Sequence, residues 1–158
     1  MDREALDRGI WDNRLSMVRL AASIVRCPQD AEDAVSEAIV RAYTRIEDLR
    51  DAQRLRPWLL RITARCATDI LRAQRREQAF ADMERFDAPA PLASQAGGLY
   101  EMLLRLPEQT RQVLILHYYE GFKAREIAGI LACPLSTVLM RLSRGREQLK
   151  KMLEEEEL

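Results

Sequence analysis

The stretch EIAGILACPLSTVLMRLSRGREQLKK, residues 126–151, decides how this chain is read. Ile127, Ala128, Ile130 and Leu131 mark one short helix, predicted over residues 123–132. Cys133 and Pro134 make a turn, and a longer helix starts near Leu135 with Ser136 as a candidate cap. Two short helices joined by such a turn are the unit that lays its second helix in the major groove of DNA. On that second helix Val138, Leu142, Gly145 and Leu149 are expected to face inward. Ser136, Met140, Ser143, Arg144 and Glu147 then point outward, with Arg141, Arg146 and Lys150 on the flanks and Leu139 at the edge of the buried face. The same spacing also suits a helical hairpin that packs against another protein.

Upstream of it, Pro107 opens a helix carrying Val113, Leu114 and Leu116, which Gly121 ends, and residues 99–105 form a further short helix. Earlier still the rhythm is longer. Residues 5–26 read as a helix on which Trp11, Leu15, Val18, Ala22 and Val25 recur at spacings of three and four. Pro28 disfavours helix in the residue before it and so ends that helix. A second helix is expected from Asp30 as N-cap, with a buried stripe of Ala31, Ala34, Val35, Ala38, Ile39, Ala42 and Ile46. Asp30, Asp33 and Glu37 share its outer face, and Arg41 follows one turn on. After a polar loop, EDLRDAQRLR, Pro57 sits in the first turn of a third helix that buries Leu59, Ile62, Cys66 and Ile70 and runs to about Gln78. Between Phe80 and Gly98 the periodicity vanishes, and DAPAPLASQAGG has the composition of a flexible linker. The fold expected is all-α: a helical domain over residues 1–79, a linker over 80–98, and a second helical domain over 99–158.

Composition narrows the function. The formal net charge is zero over 158 residues, but the charges are segregated. Residues 50–76 carry eight arginines against Asp51 and Asp69, a local excess of +6. Residues 99–153 carry nine Lys and Arg against five Glu, an excess of +4. Acids gather at Asp30, Glu32, Asp33 and Glu37, and again at Glu154–Glu157. One neutral chain thus offers basic surfaces for nucleic acid and an acidic surface for a basic partner. Cys27, Cys66 and Cys133 lie far apart without metal-ligand spacing, as expected of reduced thiols in a cytoplasm. The start, MDREALDRG, is acidic and polar, unlike a signal peptide, and no apolar run approaches the roughly 20 residues that cross a bilayer. His117, the one histidine, lies in an apolar helix segment and is expected to be structural. No glycine-rich phosphate loop, metal cluster or nucleophile motif is present, so neither an enzyme nor a cofactor is expected.

The whole chain, rather than its end alone, resembles the extracytoplasmic-function sigma factors of bacterial RNA polymerase. DAEDAVSEAIVRAY at 30–43 is similar to the family segment that docks on the polymerase clamp. LRPWLLRITARCATDILRAQRR at 55–76 is similar to the segment that melts and reads the −10 promoter element, and LPEQTRQVLILHYYEGFKAREIAGILACPLSTVLMRLSRGREQL at 106–149 to the region that reads the −35 element. The resemblance spans about residues 10–153, and the minimal two-domain class, without a long extra domain, is expected. It implies that Asp30, Asp33, Glu37 and Arg41 meet core polymerase. Arg50, Arg54, Arg56, Trp58, Arg61, Arg65 and Arg72 would meet the −10 strand, with Trp58 either a stacking platform or a core residue. Arg125, Ser136, Thr137, Leu139, Met140, Arg141, Ser143 and Arg144 would meet the −35 duplex. It further implies an anti-sigma protein as regulator; no membrane insertion is expected, for want of a long apolar run. Three positions depart from the family habit: Arg65 stands where Asn is common, Leu139-Met140 where Lys-Ser is common, and Ala132 where the turn often has Gly. A sigma-like adaptor that no longer recognises promoters, and a stand-alone regulator using only its helix-turn-helix, are the competing readings.

Overall fold

The computed structural model describes residues 1–80 and 98–156, and the chain divides into two compact units, Met1–Leu92 and Ala93–Leu158. The stretch expected to be a linker lies almost wholly outside the described residues. Every regular element described is helical.

The first unit packs three helices, α1 (Arg3–Val25), α2 (Pro28–Thr44) and α3 (Leu55–Phe80), each against the other two. Helix α1 begins at Asp2, whose carboxylate accepts a 2.7 Å bond from the N–H of Ala5. It ends at Arg26, whose left-handed backbone (φ 63°) returns an N–H to the carbonyl of Ala22. Its buried face is Leu6, Ile10, Met17, Leu20, Ala21 and Ile24. The stripe expected from Trp11 and Leu15 is overturned: these side chains are 73% and 64% exposed. Ala22 and Val25 of that stripe are buried and Val18 is half-buried. Gly9 is buried on the inward side, where a side chain would overlap that of Leu55 at the start of α3. The true core line therefore runs beside the glycine, one helical step away from the tryptophan.

Helix α2 starts three residues earlier than expected. Cys27 is its N-cap and Pro28 its first residue, so Asp30 lies inside the first turn instead of capping it. A proline's fixed φ and missing N–H suit that position. Ala31, Ala34, Ala38 and Ala42 are almost fully buried, with Val35 beside them, while Ile39 and Ile46 are only half-buried. Four small side chains on one line allow the helices to approach closely. The polar loop is more structured than its composition suggests. It folds into two single-turn 3₁₀ helices, Ile46–Asp48 and Ala52–Arg54, and buries Leu49 between them. Asp51 caps the second by accepting from the N–H of Gln53 at 3.0 Å. On α3, Leu59, Leu60, Ile62, Cys66 and Ala67 are buried and Ile70 is half-buried. The buried hydroxyls of Ser23 and Thr63 donate to the carbonyls of Leu20 and Leu59, which removes the penalty of burying them unpaired.

The second unit consists of α4 (Leu99–Leu104), α5 (Glu108–Leu114), α6 (Ala124–Leu131) and α7 (Leu135–Glu156). Helix α5 continues into a wider π turn over Ile115–Tyr119 before Gly121 (φ 76°) reverses the chain. His117 closes this turn: its Nδ1 lies 2.8 Å from the carbonyl oxygen of Phe122, and since a carbonyl only accepts, Nδ1 carries the proton. The histidine is thus tied to the backbone of its own turn. The buried guanidinium of Arg111 likewise donates to the carbonyl of Leu106 at 2.9 Å. All three cysteines are free. Among the described residues, no single helix is long and apolar enough to cross a membrane.

Candidate nucleic-acid interfaces

In the first unit the C-terminal end of α2, the 3₁₀ turn after it and the first half of α3 enclose a cleft of about 200 Å³. It is lined by Arg41, Arg45, Asp48, Trp58, Arg61, Ile62 and Arg65. That is below the roughly 300 Å³ at which sites for drug-sized ligands begin. Arg61 and Arg65 are exposed, Arg41 and Trp58 half-buried, and Ile62 buried. Four guanidiniums supply planar donors for phosphate, and the indole supplies a face on which a ring can stack. Asp48 is the one carboxylate among these groups, an acceptor for amino hydrogens. Trp58 is therefore neither a core residue nor a free one: it forms part of the cleft wall.

Four expected residues lie away from this cleft. Arg50 and Arg54 are exposed in the preceding loop, with Arg54 3.9 Å from Asp51, and Arg56 is half-buried at the start of α3. Arg72 lines a second, shallower basic depression with Asp69, Arg75 and Arg76. Two lining residues, Arg45 and Asp48, escaped the sequence reading. They reach the cleft because the chain turns in a 3₁₀ helix directly after α2, and no periodicity announces that turn.

Asp33 and Glu37 lie exposed on α2, as expected, and Asp30 is half-buried. Asp30 accepts a 2.5 Å bond from Nε2 of Gln74, which ties it to α3. Arg41 bonds Glu37 at 3.2 Å and lies 3.7 Å from Asp69, so it joins the acidic face of α2 to the cleft. Pairing at four-residue spacing on a helix adds only a few tenths of a kcal/mol. What Arg41 contributes is position.

In the second unit the chain turns by 112° between α6 and α7, within the range of DNA-binding helix-turn-helix units. Glu126 holds the entrance to α6 by accepting from the N–H of Lys123 at 3.0 Å. Ala132 makes the turn with left-handed backbone, φ 53°. Helix α7 begins at Leu135, so Ser136 lies within its first turn and is not its cap. Val138, Leu142, Gly145 and Leu149 are buried, and Ser136, Ser143, Arg144 and Glu147 are exposed. Leu139 does not pack at the edge of the core: it is 50% exposed, and Met140 44%. Arg125 on α6 is exposed, and Thr137 and Arg141 are half-buried.

Residues 12–77 match the Sigma-70 region 2 family, and residues 97–149 match the Sigma-70, region 4 family. RNA polymerase sigma factor SigV of Bacillus subtilis is 31% identical, over 94% of this chain and 91% of its own length. The ECF RNA polymerase sigma-E factor of Haemophilus influenzae is also 31% identical, over 79% and 75%. Among solved structures, the sigma factor RpoE of Bartonella quintana, determined in complex with the anti-sigma factor NepR, superposes with a TM-score of 0.81. It covers 94% of this chain and 96% of its own, at 24% identity, and supports the fold. The chain belongs to the RNA polymerase sigma factors, in their extracytoplasmic-function branch. Sigma factors bind core RNA polymerase and promoter DNA, and initiate transcription without catalysis of their own.

Proposed function

We propose that this sigma factor docks on core RNA polymerase and directs transcription initiation from promoters with −10 and −35 elements. The carrying observation is that region 2 and region 4 sequences follow one another in the chain, each presenting a basic, solvent-facing surface. In this reading residues 1–79 form the polymerase and −10 domain, residues 80–98 the linker, and residues 99–158 the −35 domain. Asp30, Asp33, Glu37 and Arg41 meet polymerase, where their charges speed docking more than they tighten it. Arg50, Arg54, Arg56, Trp58, Arg61, Arg65 and Arg72, joined by Arg45, hold the −10 strand. Phosphates lie on the guanidiniums and a base stacks on the indole. Arg125, Ser136, Thr137, Leu139, Met140, Arg141, Ser143 and Arg144 enter the −35 major groove.

The protein acts in the cytoplasm and is held in check by an anti-sigma partner. This is supported by a similar structure, RpoE, which was solved with the anti-sigma factor NepR. The test is to mix the purified chain with core polymerase and follow co-elution, then retention of promoter DNA. Complex formation on both counts is expected. Binding to polymerase without promoter retention would replace this reading with that of an adaptor.

A further inference from the structure

The recognition helix of this chain carries an apolar patch at its leading end. Leu139 and Met140 are 50% and 44% exposed, and Leu135, one turn before Leu139, is 36% exposed. The buried line of α7 is Val138, Leu142, Gly145 and Leu149; Leu135 and Leu139 lie beside it and Met140 lies on the far side. Around the patch the surface is basic and hydroxylic: Arg125 from α6, then Ser136, Arg141, Ser143 and Arg144 from α7. Cations suit a phosphate backbone on either side of a groove, and the leading residues of a recognition helix are those that reach base edges. The apolar group that B-DNA displays to such a side chain in the major groove, and nowhere else, is the C5 methyl of thymine.

We propose that Leu139 and Met140 read thymine methyl groups in the −35 element, so that this factor selects that element partly by apolar contact. The proposal rests on the promoter-binding function above and specifies its ligand. Arg141 and Arg144 supply phosphate attraction that is indifferent to sequence, while the pair supplies discrimination without a hydrogen bond. The value of one buried methyl group corresponds to about a fourfold change in affinity for each thymine contacted.

The test uses holoenzyme assembled from core polymerase and the full chain, on a promoter found by mapping its transcripts. Thymines of the −35 element are replaced one at a time by deoxyuridine, which keeps every hydrogen-bonding group and lacks only the methyl. One or two positions should lose about fourfold in affinity. That loss should vanish in the doubly substituted variant Leu139→Ala, Met140→Ala, whose folding is checked by circular dichroism. A second variant, Leu139→Lys with Met140→Ser, should bind more tightly at low salt and also ignore the methyl. Wild-type holoenzyme that responds to the −35 sequence but not to deoxyuridine overturns the inference and leaves the promoter-binding function standing. A deoxyuridine response unchanged in both variants, with binding to a protein partner lost instead, overturns it in favour of a protein-docking patch. Holoenzyme that starts no promoter-directed transcript overturns the parent function and this inference together.

Discussion

Gly145 of α7 lies directly against Leu114 of α5. A Cβ placed on Gly145 would come within 2.7 Å of Leu114 Cδ1 and 2.8 Å of Thr110 Cγ2. Leu114 is fully buried, so it has little room to yield. A mid-helix glycine normally costs about 1 kcal/mol relative to alanine. Here the close approach of two helices outweighs that cost. Gly145→Ala should therefore destabilise the second unit by a net of up to ~2 kcal/mol, the ~1–3 kcal/mol of overpacking less the ~1 kcal/mol that alanine gains as a helix former. Urea unfolding followed by a probe in this unit checks it, and an unchanged or higher midpoint would contradict the packing described.

The helix-turn-helix turn makes the opposite prediction. Ala132 holds φ 53°, and nothing but its methyl group opposes that conformation. An L-residue with a Cβ pays about 1–2 kcal/mol there that glycine does not. Ala132→Gly should raise the stability of the second unit by about 1 kcal/mol, visible as a higher thermal midpoint. A fall in that midpoint would mean that the turn is not left-handed.

On α1 the exposed and buried lines separate cleanly. Trp11→Ala and Leu15→Ala should change stability by no more than about 0.5 kcal/mol. Met17→Ala and Leu6→Ala, at fully buried sites, should each cost about 2–5 kcal/mol. Chemical denaturation of the four variants distinguishes this register from one in which Trp11 lies in the core.

The thiols should also differ. Burial pushes the Cys66 thiol above its ordinary pKa, even though the guanidinium of Arg41 pulls the other way. At neutral pH Cys66 therefore has less thiolate than a free cysteine and is shielded besides. Iodoacetamide should modify the half-buried Cys27 and Cys133 first, with Cys66 reacting only on unfolding. The sign of the linkage follows. Once pH exceeds the unfolded thiol's pKa, the unfolded chain releases a proton that the native chain still holds. Stability from this group is thus full at neutral pH and falls as the solution becomes alkaline. Rapid labelling of Cys66 in the native protein would refute the burial.

Much of this architecture is legible in the sequence, for identifiable reasons. Helix α7 is read with its register correct at Val138, Leu142, Gly145 and Leu149, because polar residues separate one apolar line from the other face. Only Leu139 misleads, being apolar beside that line without belonging to it. Helix α1 misleads more, since it carries two apolar lines and spacing alone does not choose between them. The choice is made by packing against α2 and α3, in which Gly9 meets Leu55, 46 residues away in sequence. Charge clustering brings Arg61 and Arg65 to notice, and the family resemblance brings Trp58. Arg45 and Asp48 become visible only when the 3₁₀ turn folds them over α3.

The most direct measurement is a reconstituted initiation assay in which core polymerase, this chain and fragments of its source genome are combined and the 5′ ends of the transcripts are sequenced. New start sites preceded by two spaced elements are predicted, with yield falling sharply for Trp58→Ala and for Arg61→Ala combined with Arg65→Ala. Stable binding to core polymerase without any new start site would contradict the account.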